Sequence, residues 1–188
     1  PRFRRGRGGV ASVVAGVAVL VSTLIGIPQF TWRAFADLRA AGDRDWSNTE
    51  IRRGDRTFTF DSADVAAEFR AVADELAARS TPGDRLFVGA AEVRRTPYGD
   101  AFLYHYFPEL TPATYFIEMD PGVANAPDSG LADEVASADW LILSRVWEEW
   151  SEPNGSTDVG PDAPNRVVAE RFCRVVPGRT VELWHRCA

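Results

Sequence analysis

Glu118 and Asp120 form an acidic pair just after an apolar run, and arginines and aromatic rings follow neighbouring runs. In an open parallel sheet, ligands bind beyond the carboxyl ends of the strands. The run at 86–88 is followed by Glu92, Arg94, Arg95 and Tyr98, and the run at 140–143 by Ser144, Arg145 and Trp147. Carboxylates near guanidinium groups and rings suit a hydroxylated or anionic small molecule, so Glu92, Arg95, Tyr98, Glu118, Asp120, Arg145 and Trp147 are candidate substrate-binding residues. His105, in Leu-Tyr-His-Tyr-Phe, joins them as a possible general base. The competing reading is that these are solvated loop charges and, for His105, a packed ring.

No catalytic residue is assigned. Base chemistry needs a partner for the histidine, and none is visible. His105 and His185 are the only histidines, and no His-Glu-x-x-His pair occurs, so no metal site is expected. Ser144 lacks the Gly-x-Ser-x-Gly elbow of a hydrolase nucleophile. There is no Gly-x-Gly-x-x-Gly and no phosphate loop, so no cofactor is expected. Cys173 and Cys187 are the only cysteines, and in an oxidising compartment they would pair. A tight turn at Pro177-Gly178 would set Cys173 opposite Glu182, so a disulfide needs a bulge or a chain end that folds back. Asn154-Gly155-Ser156 matches a glycosylation acceptor, a motif short enough to arise by chance.

The elements that would position these residues follow from periodicity. Thr57-Phe58-Thr59-Phe60 alternates like a strand. Asp61 to Asp64 offers N-cap chemistry, and Val65, Phe69, Val72 and Leu76 then share a helical face. Ser80-Thr81-Pro82-Gly83 stops that helix. Strands are expected at 86–88, 114–118 and 138–144, with short helices within 98–106 and over 131–138. Residues 148–164 read as a surface loop, and 166–176 with 179–184 as a closing β-hairpin. The alternation predicts an α/β domain: Rossmann-like, with a short, mostly parallel sheet and a C-terminal hairpin.

The chain has 188 residues, 45% of them hydrophobic, and a formal net charge of −6. Such acidity excludes a general nucleic-acid binder. The first residues are nevertheless basic, with Arg2, Arg4, Arg5 and Arg7, and no charged residue follows until Arg33. About 20 apolar residues in a helix cross the hydrocarbon core, and this stretch is apolar all round. A transmembrane helix over 9–30 is therefore expected, with the basic segment 1–8 in the cytoplasm and the rest outside. Phe30 and Trp32 fall where an interfacial belt would lie. A cleaved signal peptide and a buried core helix are the rival readings. Residues 31–56 would form a juxtamembrane helix and linker, and 57–188 the extracytoplasmic domain.

Several segments carry a resemblance: Pro82-Gly83-Asp84-Arg85-Leu86-Phe87-Val88-Gly89, then Arg95-Thr96-Pro97-Tyr98, then Phe102-Leu103-Tyr104, Phe107-Pro108-Glu109-Leu110, and Ser137-Ala138-Asp139-Trp140-Leu141-Ile142-Leu143. With one membrane pass before an α/β domain, they resemble the C-terminal part of actinobacterial membrane glycosyltransferases of the GT-C type, related to dolichyl-phosphate-mannose mannosyltransferases. That resemblance implies a polyprenyl-phosphate sugar donor and a catalytic acid in an early loop among the first membrane helices, absent from this chain. The chain would then be an accessory, non-catalytic tail whose partners are the lipid bilayer, the remaining transmembrane part of the same polypeptide and a glycan acceptor. The alternatives are a single-pass envelope binding or scaffold protein, and a small enzyme using Glu118, Asp120 and His105.

Overall fold

The computed structural model describes residues 8–26, 39, 49–149 and 158–187. The chain divides into two units, Pro1–Asp45 and Trp46–Ala188. The first contains helix α1, Gly8–Gly26, in which Val13, Val14, Val17, Val19, Leu20 and Val21 are exposed. Thr23 Oγ1 donates to the Val19 carbonyl at 2.9 Å, so its hydroxyl is satisfied within the helix. Among the described residues, no helix is long and apolar enough to cross a membrane. The expected span over 9–30 is therefore not supported; the helix described there is Gly8–Gly26, with its side chains described only over residues 13–23. The basic segment 1–7, the belt residues Phe30 and Trp32, the juxtamembrane helix and Asn154-Gly155-Ser156 lie outside the described residues.

The second unit is α/β. It opens on an antiparallel hairpin, β1 (Glu50–Arg53) and β2 (Arg56–Thr59), turning at Gly54 with φ 60°. The sequence reading anticipated β2 but placed β1 in a linker, because Glu50-Ile51-Arg52-Arg53 carries one apolar residue. That residue, Ile51, is fully buried. Helix α2 (Ala63–Arg79) follows and buries Phe69, Val72 and Leu76 at the expected spacing. Ser62 occupies the N-cap position in an extended conformation without a side-chain cap bond, so the expected capping chemistry is not used.

Next come β3 (Arg85–Ala90), α3 (Phe102–Tyr106), β4 (Thr111–Pro112), α4 (Leu131–Ser137), β5 (Trp140–Ser144), α5 (Ala163–Arg171), β6 (Phe172–Val176) and β7 (Val181–Arg186). The five-stranded sheet runs β4-β3-β5-β7-β6. β3 pairs in parallel with β4 and β5, and β7 pairs antiparallel with β5 and β6. The sheet is thus mixed rather than mostly parallel. Leu86, Val88, Trp140, Ile142, Val181 and Leu183 pack on one face with α2 and α3. Phe87, Leu141, Leu143 and Phe172 pack on the other with Leu131 and Val135 of α4 and Val168 of α5. Covering both faces explains why the two central strands read as continuous apolar runs.

Two expectations are corrected. Residues 114–118 are not a strand: β4 covers only Thr111 and Pro112, and Tyr115 is 86% exposed. Thr114 Oγ1 donates to Glu134 and accepts from Phe116 N, bending the chain away. The edge that β4 abandons is served by a side chain, since Val88 N donates to the Tyr104 hydroxyl at 2.9 Å. The closing hairpin also starts later than expected. Residues 166–171 continue α5, and the chain passes from helix to strand at Arg171–Phe172 with nothing between.

The hairpin loop is wider than a Pro-Gly turn. Val176 faces Leu183, a bulge follows at Arg174, and Cys173 faces His185 instead of Glu182. Glu68 of α2 accepts from Thr180 N and Val181 N, so a helix carboxylate holds the loop. A Cβ on Gly178 would lie 1.9 Å from the Val181 carbonyl oxygen, a close approach only glycine permits. With this register Cys187 reaches Cys173, and the two form a disulfide with Cα atoms 5.2 Å apart.

Candidate functional site

The loops that leave the carboxyl ends of β3 and β5 meet the end of β2 and the start of α2 around a cavity of about 490 Å³. That volume lies in the range of small-molecule sites. Phe58, Phe60, Val65, Phe102 and Val146 supply apolar wall. Phe58 stacks on Phe102 with centroids 3.7 Å apart and planes 10° from parallel, and Phe60 meets Phe69 of the core at 4.6 Å. The floor is therefore rigid: its rings continue into the packing of α2. Tyr98, 49% exposed, and Trp147 stand together at 5.6 Å.

The charged groups on the cavity are carboxylic, Asp61, Asp100 and Glu118, and Thr59, Ser62, Tyr98 and Trp147 add neutral polar groups. No arginine or histidine is among its described lining residues. Asp100 is 5% exposed. Trp147 Nε1 donates to Asp100 Oδ1 at 3.1 Å, which couples the ring to the carboxyl. Burial pushes the Asp100 carboxyl above its ordinary range, and the Ser144 hydroxyl and Trp147 indole pull it only partly back. Oδ2 is buried and has no hydrogen-bond partner of good geometry. A buried polar atom without a partner is rare and costly.

Of the eight sequence-predicted residues, the cavity gathers Tyr98, Glu118 and Trp147. The other five are elsewhere. Glu92 accepts from Arg94 and Asn165. Arg95 donates to the Glu148 carbonyl. Arg145 lies 3.6 Å from buried Glu182 and 3.9 Å from Glu148. His105 is exposed on α3, and Asp120 is exposed where its carbonyl accepts from Val123 N and Ala124 N. Glu118 lines this cavity, and His105 and Asp120 are not among its described lining residues. Among the described residues, no cluster of histidine, cysteine and carboxylate side chains could hold a metal.

Sequence reasoning missed Asp100, Phe58 and Phe102. Asp100 and Phe102 lie within 98–106, which reads as a short helix, and Phe58 lies in an alternating strand; only the hairpin, which brings β2 over α3, turns the two rings into a wall. The segment carrying Glu118 reaches the cavity through Met119, a buried residue held at φ 54°. Its side chain packs near Gly99 and Gly89, at 3.7 and 3.8 Å from where their Cβ atoms would be. A left-handed conformation at an unbranched non-glycine residue needs surrounding packing to persist.

No protein-family model, curated protein sequence or solved structure matches the chain. The class of protein is therefore set by architecture alone, an α/β domain with a mixed five-stranded sheet and a separate apolar helix.

Proposed function

We propose that the chain is a membrane-tethered, extracytoplasmic accessory module of a polytopic glycosyltransferase that uses polyprenyl-phosphate sugar donors, and that its cavity receives acceptor glycan. The observation that carries this reading is the cavity at the strand ends, with an aromatic wall and carboxyl acceptors. Ring faces bury the apolar faces of a sugar, while carboxyl oxygens accept from its hydroxyls. The charged lining is acidic and disfavours a phosphorylated donor, which fits an acceptor site. The tether rests on the uncharged sequence 8–32 and on six exposed Val and Leu side chains of α1. The disulfide accords with an oxidising compartment.

The test uses the full chain in detergent micelles. Neutral and amino-sugar oligosaccharides are titrated while indole fluorescence is followed, with Trp147→Ala and Tyr98→Ala as controls. Saturable binding that both substitutions weaken about tenfold or more supports the reading. Glycosyl transfer by the chain alone, from a polyprenyl-phosphate sugar, would overturn the accessory role. Absence of saturable binding would overturn the acceptor site.

A further inference from the structure

We propose that the cavity selects a protonated amine, carried on an amino-sugar unit of the acceptor, and that Asp100 is the group that receives it. The inference rests on the glycan reading above and adds the charge of the ligand to it.

Three observations converge. The first is the under-satisfied atom: Asp100 lines the cavity, is 5% exposed, and keeps Oδ2 without a hydrogen-bond partner of good geometry. Its other oxygen is fixed by the Trp147 indole at 3.1 Å, so the carboxyl cannot rotate freely to satisfy itself. A ligand N–H or O–H would complete it. The second is the company: Glu118 is a further acid on the same cavity, and its described lining includes no cation. Summed negative potential in a low-dielectric wall favours a positive ligand over a neutral one. The third is the wall. Tyr98, Trp147, Phe58 and Phe102 offer π-faces, and an ammonium over such faces is attracted by the ring quadrupole. A neutral hydroxyl gains from the first feature only, whereas a protonated amine gains from all three. The apolar area left over suits the sugar ring that bears it.

The full chain in detergent micelles is titrated with glucosamine, N-acetylglucosamine, glucose and n-propylammonium at neutral pH, where most of the amine is still charged. Binding is read by calorimetry and indole fluorescence. Glucosamine should bind roughly tenfold or more tightly than glucose, and acetylation of the nitrogen should erase the difference. In Asp100→Asn, a near-isosteric change, the glucosamine-to-glucose ratio should collapse toward one. Glu118→Gln, at an exposed position, should lower the ratio by a smaller factor and needs no refolding of the interior. Equal affinity for glucosamine and glucose would sink the amine site and leave the glycan reading standing. Binding of n-propylammonium without any of the three sugars would keep the amine site and sink the glycan reading. No binding by any probe would overturn both.

Discussion

At the residue scale, two carboxyl groups make opposite demands. Arg53 donates to Glu109 through both terminal nitrogens, at 3.0 and 2.5 Å, while also donating to the Tyr106 carbonyl and covering the Phe107 ring at 4.6 Å. Those bonds hold the Glu109 carboxyl below its ordinary value of 4.5. A depressed folded value means the unfolded chain takes up its proton first as pH falls. The stabilisation is therefore complete above the unfolded value and disappears as pH drops through the folded one. Arg53→Ala should cost about 1–2 kcal/mol at neutral pH, read by urea unfolding, and should flatten the acid limb of the stability curve. Asp100 behaves in reverse. Its raised value penalises the folded state increasingly as pH climbs from the unfolded value to the folded one. Asp100→Asn should accordingly raise the melting temperature at neutral pH and not in acid, by calorimetry, even as it weakens ligand selection. A gain in stability paired with a loss of binding is expected of a group kept for function.

Among the elements, the helices and central strands were legible because burial leaves a period that can be read. Phe69, Val72 and Leu76 in α2, and Leu141, Ile142 and Leu143 in β5, each advertise the faces they cover. What could not be read was decided by side chains far away in the chain. The run 115–117 has the composition of a strand, yet Tyr104 takes the Val88 amide that a continued strand would need. Tyr104→Phe leaves that amide without its acceptor, and should cost about 1–2 kcal/mol and speed hydrogen exchange at Val88. Likewise the cavity was half visible. Tyr98, Glu118 and Trp147 follow from strand order, but Phe58 and Phe102 depend on a hairpin whose first strand shows a single buried residue, Ile51. The hairpin loop at 177–180 was misread for the same reason, since Glu68, over a hundred positions earlier, holds it open. Its width brings the cysteines together. Separated by 14 positions, they close a loop whose entropy is worth about 3 kcal/mol, so Cys187→Ser should lower stability by that order under oxidising conditions and by little under reducing ones.

For the molecule as a whole, the two units treat their apolar side chains differently. The α/β unit buries its apolar residues on both faces of one sheet, while α1 exposes Val13, Val14, Val17, Val19, Leu20 and Val21. If α1 is tethered in lipid, the chain should stay with membranes through alkaline carbonate washing, and protease added outside should reach 46–188. Release into the wash would remove the tether.

The order of strands carries one more consequence. β7, Val181–Arg186, is the last strand along the chain but sits inside the sheet, flanked by β5 and β6. Until it emerges from the ribosome, β5 has an open edge and β6 has no neighbour at all. Sheet assembly thus waits for Val181–Arg186, and a nascent chain stalled before Val181 should remain as sensitive to protease as an unfolded one.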